Sequence, residues 1–299
     1  MAGDAERQRL LAPAKLTLTL RVTGRRADGY HLLDAEMVTL DLADELEIGP
    51  GDRLEVVTEP MGEAGPSGRA GVGGEAGPGK HPSLVPVGED NLVRRALQAV
   101  GRKAAVTLTK RIPVGGGLGG GSADAAAVLR WAGTPGAPGA GGDAEEAGGR
   151  ACSTPVTRAR LALAARLGAD VPFCLVGGRA RVTGVGEVVE PLAPRSMAFV
   201  LLLPPLSVST VAVYQAWDRL GGAAASGPND LEGAAVAVEP RLLAWRDALA
   251  RATGTRPVLA GSGSTWFVEG TPEQLGLAGR TTLSVDGETA RLVAVRTAT

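Results

Sequence analysis

The stretch Lys110-Arg-Ile-Pro-Val-Gly-Gly-Gly-Leu-Gly-Gly-Gly-Ser-Ala-Asp124 constrains this chain more than any other. An alternating segment enters it, six glycines and one leucine fill positions 115–121, and an alanine-rich run leaves from Ser122. Backbone without Cβ atoms reaches left-handed conformations and lets N–H groups approach a ligand closely. A helix starting directly afterwards adds about half a positive charge at its N-terminus. Strand, glycine loop and helix together make an anion site suited to phosphate. A tight turn packed against another backbone is the plain alternative for the same residues.

The class of phosphate site narrows by exclusion. A Walker A loop ends in Gly-Lys-Ser/Thr, whereas Gly121 here runs directly into Ser122. Gly115-x-Gly117-x-x-Gly120 satisfies the dinucleotide spacing, but a glycine run meets that pattern easily. The acidic residue expected about 20 positions later would be Asp143 or Glu145, with no strand before it. The His-Arg-Asp and Asp-Phe-Gly tripeptides of protein kinases do not occur.

Composition sharpens this. The chain holds 44 Gly in 299 residues, roughly twice average usage. Part of the excess lies in 61–79, with 8 Gly in 19 residues, and in 133–149, with 7 in 17. Neither segment has the apolar surface to offset its ordering entropy, so both read as mobile surface insertions. Net charge is −1, with 31 basic and 32 acidic residues, so no global field favours nucleic acid or an anionic membrane. Two cysteines, Cys152 and Cys174, make neither a disulfide framework nor a metal cluster. No apolar run reaches membrane-spanning length and no signal-peptide pattern opens the chain, which reads as soluble and cytoplasmic. Only four basic residues are lysines, Lys15, Lys80, Lys103 and Lys110, against 27 arginines. Each lysine therefore stands out.

Period-two alternation predicts a strand over 15–22, with Leu16, Leu18, Leu20 and Val22 inward and Lys15 and Thr17 on the polar face. Further strands are expected at 36–42, 45–49, 53–58, 104–112, 171–176, 179–189 and 197–203. Helices are expected after Asp90 or Asn91 as N-cap, from Ser122 to about Trp131, and over 156–167 ending at Gly168. Two more fall at 210–219 and 240–252. Grouped helices and hairpin-like strands indicate an α+β class rather than regular βαβ alternation.

Taken singly, the remaining candidates have ordinary readings. Lys15 is a strand lysine, Asp170 a turn aspartate, Asn91 a helix cap, and Tyr30 and His31 a half-buried aromatic with a polar neighbour. Together they resemble a known family. Ala12-Pro-Ala-Lys15-Leu, Arg26-Ala-Asp-Gly-Tyr30-His31, Glu89-Asp-Asn91-Leu, the glycine loop, Leu167-Gly-Ala-Asp170-Val-Pro and Gly261-Ser-Gly263-Ser are similar, in order, to motifs of the galactokinase, homoserine, mevalonate and phosphomevalonate (GHMP) kinase superfamily. Within it the chain looks most like the kinases of cytidine-diphosphate-linked methylerythritol in the non-mevalonate isoprenoid pathway. The motifs span residues 12 to about 270.

That resemblance implies a two-lobed fold: a lobe related to a ribosomal-protein β-α fold over 1–192, then a ferredoxin-like lobe over 193–299. It implies ATP and Mg²⁺, with transfer of the γ-phosphoryl group to the substrate's 2-hydroxyl. Lys15 and Asp170 would be catalytic. Pro113, Val114, Gly115, Gly116, Gly117, Leu118, Gly119, Gly120, Gly121, Ser122, Ala123 and Asn91 would bind ATP. Thr17, Tyr30, His31 and Tyr214 would bind the substrate, the aromatics stacking on cytosine and His31 bonding its edge. Two positions depart from the family: Thr17 stands where Asn is usual, and Ala123 replaces a frequent second serine. A kinase of another small alcohol, a dinucleotide-binding oxidoreductase and an inactive nucleotide-binding protein remain the rival readings. The oligomeric state is left open.

Overall fold

A computed structural model describes residues 7–58, 85–133, 156–222, 225 and 227–298. The expected insertions at 61–79 and 133–149 lie outside these residues, apart from Gly133. Two sheets organise the chain. The first holds β1 (Gln8–Arg25), β2 (His31–Gly49), β3 (Arg53–Thr58), β4 (Ala105–Lys110), β5 (Arg179–Gly184) and β6 (Val188–Pro191). Its order is β3-β4-β2-β5-β6, with β1 pairing β2. Only β3 and β4 run parallel; the other pairs are antiparallel.

Helices α1 (Leu92–Ala99), α2 (Gly120–Ala132), α3 (Arg158–Leu167) and α4 (Val171–Val176) belong with this sheet. Its core draws Leu46, Ile48 and Leu108 from the strands, Val93 and Ala96 from α1, Ala126 to Leu129 from α2, and Phe173 from α4. The second sheet has the order β10-β11-β7-β9-β8. Its strands are β7 (Ala198–Leu203), β8 (Val258–Leu259), β9 (Trp266–Glu269), β10 (Thr282–Val285) and β11 (Glu288–Arg296), with helices α5 (Thr210–Arg219), α6 (Glu232–Val238) and α7 (Arg241–Thr253). A third cluster joins the sheets: Leu16, Val38 and Leu40 meet Phe199, Leu201, Phe267 and Val295, with Ile112 and Leu118 of the glycine-loop segment. The class is α+β.

Three expectations are corrected. Residues 171–176 form helix α4, not a strand: Pro172 sits in the first turn, where its missing N–H costs nothing, and the Asp170 carbonyl accepts from Cys174 N at 3.0 Å. The expected strand 179–189 is two strands, β5 and β6. Gly184 and Gly186, both at positive φ, make a turn in which Gly186 N donates to Thr183 O at 3.3 Å, whereas Gly168 ends α3 as expected. The expected strands 36–42 and 45–49 are one strand, β2, because the polar Ala43-Asp44 step is not a break. Pro13 pairs with Ala43, and buried Asp44 accepts from the N–H groups of Arg111 and Ile112.

The polar face of β1 is not a solvent face. Lys15 is 4% and Thr17 2% exposed, while Leu16 between them is fully buried. Register irregularities flank this stretch, between Pro13 and Lys15 and between Thr17 and Thr19. Bulges turn a strand locally and re-aim its side chains, and here both faces are covered.

Candidate active site

A cleft of about 450 Å³ opens between the glycine loop, the start of α1, the middle of β1 and the 261–262 turn of the second sheet's half. All of 113–122 lines it. Gly115, Gly117 and Gly119 have φ of 72°, 77° and 69°, the left-handed region that disfavours side chains. Gly119 is the N-cap of α2 and makes no side-chain cap bond, so Ser122 lies in the helix's first turn and does not cap it. The loop also packs on another backbone. A Cβ on Gly117 would sit 2.1 Å from the Ala260 carbonyl oxygen, and Thr265 N donates to Gly116 O at 3.3 Å. The plain reading of the loop and the phosphate reading therefore coexist: one edge is packed, the other faces the cleft.

Lys15 crosses beneath the loop. Its N–H donates to Leu118 O at 3.0 Å, and a Cβ on Gly119 would meet its Cγ at 2.8 Å. Its ammonium donates to Thr17 Oγ1 at 3.0 Å and lies 3.5 Å from Asp170 Oδ2. Asp170, the N-cap residue of α4, also lines the cleft. A cation, an anion, a glycine loop and a helix N-terminus thus share one cavity.

A profile of the GHMP kinases N terminal domain matches residues 91–134. The chain is 37% identical over 278 residues to 4-diphosphocytidyl-2-C-methyl-D-erythritol kinase of Cereibacter sphaeroides, covering 86% of this chain and 87% of that one. It belongs to the 4-diphosphocytidyl-2-C-methyl-D-erythritol kinase family. The relative from Paramagnetospirillum magneticum is 36% identical, with 86% of each chain covered. A crystal structure of 4-(cytidine 5'-diphospho)-2C-methyl-D-erythritol kinase superposes with a TM-score of 0.63 at 30% identity, over 98% of this chain and 100% of that one. A homoserine kinase from Cytophaga hutchinsonii, TM-score 0.57 at 15% identity, shares the fold. The fold is the two-lobed GHMP kinase fold, and the chain is a small-molecule kinase with ATP as co-substrate. The dinucleotide alternative falls away, since a largely antiparallel sheet carries the loop.

In this member of the 4-diphosphocytidyl-2-C-methyl-D-erythritol kinase family, the cleft wall brings together Lys15, Thr17, Asn91, residues 113–122, Asp170 and Tyr214. Burial, with Asp170 adding, pushes the Tyr214 phenol above its ordinary range. Asn91 is occupied by local structure: its Oδ1 accepts from Val93 N at 2.8 Å and its Nδ2 donates to Pro86 O at 2.7 Å. Ala123 does not reach the cleft. It is fully buried in the core, and its N–H is bonded to Gly119 O at 2.9 Å. Tyr30 is also off the wall, 62% exposed, with the Arg26 guanidinium 5.5 Å from its ring centre. His31 stacks on Tyr214, ring centres 4.8 Å apart at 21°. The cleft is therefore lined by Tyr214 with the imidazole behind it.

Three features escape the sequence reading. Lys110 is buried under Gly120 and ion-paired to Asp44 and to Asp124, the latter at 2.8 Å. Asp44 has two backbone N–H donors besides Lys110, whereas Asp124 Oδ1 is buried with no hydrogen-bond partner among the described residues. Burial, and Asp44 sharing the same ammonium, push Asp124 up to about 7. Burial opposes the charge on Lys110, but its two carboxylates outweigh it and raise its pKa. Second, Asn229 donates to Leu259 O at 2.8 Å and Gly261 O at 2.7 Å, holding the 261–262 turn at the cleft. Third, Asp218 of α5 bonds His31 Nε2 at 2.7 Å. The scarcity of lysine singles out Lys110; nothing local in the sequence marks Asn229 or Asp218. Cys174 is inert, its thiol pushed up to about 12 by burial.

Proposed function

We propose that this kinase transfers the γ-phosphoryl group of ATP to the 2-hydroxyl of 4-diphosphocytidyl-2-C-methyl-D-erythritol, a step of the non-mevalonate isoprenoid pathway. The observation that carries this reading is the Lys15–Asp170 pair, 3.5 Å apart in the same cleft as the glycine loop. Loop N–H groups and the start of α2 hold the nucleotide phosphates. Asp170 orients the acceptor hydroxyl and takes its proton as the oxygen bonds to the γ-phosphorus and the bond to the departing ADP breaks. Lys15 offsets the charge gathering on the transferred group. Thr17, bonded to the Lys15 ammonium, aims that charge with a shorter group than the family's usual asparagine.

Tyr214 and the imidazole stacked on it receive the pyrimidine, and Tyr30 on the exposed turn covers it. Base stacking on an aromatic ring contributes on the order of 1–3 kcal/mol. Mg²⁺ is ordinarily held by one or two protein oxygens plus substrate phosphates; Asp170 and Ser122, both on the cleft wall, fit that donor set. When bound, the ion would neutralise phosphate charge. A division into lobes at about residue 192 accords with β6 ending at Pro191 and β7 beginning at Ala198. Dependence on ATP accords with a cytoplasmic setting.

The decisive test is steady-state turnover of the cytidyl substrate against mevalonate and homoserine. Phosphorylation of the cytidyl substrate at a far higher kcat/KM is expected. Equal or better turnover of either competitor would overturn the assignment.

A further inference from the structure

Asn229, between α5 and α6, is 1% exposed and lies off the cleft wall. Its Nδ2 donates to Leu259 O at 2.8 Å and to Gly261 O at 2.7 Å, and its Oδ1 accepts from Leu231 N at 2.9 Å. The residues on either side of it are fixed to β1. Leu20 N donates to Pro228 O at 2.8 Å, Asp230 N donates to Leu20 O at 2.9 Å, and the Asp230 carboxylate accepts from Val22 N at 2.9 Å. One amide therefore ties the strand that carries Lys15 and Thr17 to the turn that the second sheet's half sends into the cleft.

That turn closes over Lys15. Gly261 has a φ of 59°, and a Cβ there would sit 3.4 Å from the Lys15 ammonium and 3.9 Å from Thr17 Oγ1. An ammonium has three N–H donors. One goes to Thr17, the Asp170 carboxylate lies 3.5 Å away, and what remains is the donor available to the transferred phosphoryl group. A buried backbone carbonyl needs a donor. Released from Asn229, the Gly261 carbonyl would be an unpaired acceptor beside a buried ammonium. The far end of the turn is anchored separately: Thr210 Oγ1 and Ser262 Oγ are 2.8 Å apart, and Ser264 Oγ donates to Leu206 O at 2.7 Å. Loss of Asn229 thus frees the Gly261 end and leaves the rest of the turn in place.

We propose that Asn229 is a positioning residue for phosphoryl transfer. By holding the Leu259 and Gly261 carbonyls it keeps the turn's acceptor off Lys15, so that the third donor of the ammonium stays directed at the group in transit. This rests on the assignment of Lys15 to the transfer point.

A purely structural role, bracing the second half of the chain against β1, would use the same bonds. A double-mutant cycle with Lys15→Ala separates the two. Asn229→Ala, assayed well below its melting temperature, is expected to lower kcat at least about tenfold, within the ~10²-fold that a 1 Å misplacement costs. Placed on Lys15→Ala, the same change is expected to lower the residual kcat less than about twofold, because the ammonium it guards is gone. The fall in melting temperature should be equal in the two backgrounds. Asn229→Asp keeps the shape and the bond from Leu231 N and removes the amide donors, and it carries the same cycle if the alanine variant does not fold.

An equal fold-loss of kcat in both backgrounds overturns the proposal, as does wild-type kcat in both Asn229 variants. If Lys15→Ala itself keeps a near-normal kcat, the reading of the transfer point fails and this proposal with it. A low rate in Lys15→Ala, followed by an equal further loss on changing Asn229, sinks the proposal alone.

Discussion

Lys15 and Asp170 come from the middle of β1 and the N-terminus of α4, 155 positions apart in the chain, and the fold brings them to 3.5 Å. Asp170→Asn and Lys15→Ala are each expected to lower kcat at least about 10²-fold, the range of a lost positioned base or charge-stabilising group. Titration with an ATP analogue should show near-normal affinity in both, because the glycine loop is untouched; a near-normal kcat in either would refute its role. The lysine was legible in the sequence through its rarity and its motif, and its burial was not. A period-two pattern assigns alternate faces but says nothing of what covers the polar one, and here the cleft covers it. The partners of Lys110 are further from reach, since Asp44 lies 66 positions away and no local pattern marks the pairing. Tyr30 shows the converse: its motif is plain, yet it lies off the cleft wall, exposed and near Arg26.

At the scale of elements, α1 and α2 follow from caps and glycine with bounds close to expectation, whereas β1 (Gln8–Arg25) begins seven residues before and ends three after the expected 15–22. Helix α4 does not follow from local pattern, because Val-Pro-Phe-Cys-Leu-Val reads as an apolar strand unless the proline is taken as a helix-start residue. Strands β8 to β10 have two to four residues each, too few for a period to declare itself. The glycine loop carries a sharper expectation. Gly117→Ala places a Cβ against the Ala260 carbonyl at a left-handed φ, and should cost roughly 1–3 kcal/mol or more. Gly121→Ala, with ordinary φ and only Leu92 Cδ1 within 4 Å, at 3.5 Å, should leave stability within about 0.5 kcal/mol. Urea unfolding of the two variants checks the contrast, and equal effects would refute it.

The Lys110 triad makes a pH-dependent claim of its own. Asp124 titrates at about 7 in the folded chain, above the ordinary carboxylate range it has when unfolded. The native state therefore holds a proton that the unfolded chain releases. Its stabilising share is complete below about pH 4 and is lost as pH rises toward 7. Wild-type stability is expected to fall between pH 5 and 7.5 relative to Asp124→Asn, read as the difference in urea midpoints. Parallel curves for the two proteins would rule this out.

On the scale of the whole molecule, the two sheets share a cluster rather than touching edge to edge. Phe199, buried and packed edge-on to Phe267 at 5.7 Å, lies in that cluster with Leu16 of β1. Phe199→Ala is expected to destabilise by about 3–5 kcal/mol, and because Leu16 adjoins Lys15, the loss should be accompanied by reduced kcat well below the melting temperature. Retained kcat in a variant so destabilised would show that the cluster serves stability alone. The same shared seam has a consequence for building hybrids. The back of the phosphate loop rests on Ala260 and Thr265, residues from the far half of the chain. A chimera that joins the first half of this kinase to the second half of a relative inherits a loop whose seat was cut for a different backbone. The fit to preserve in such a graft is the clearance over Gly117, where there is no room for even one added carbon.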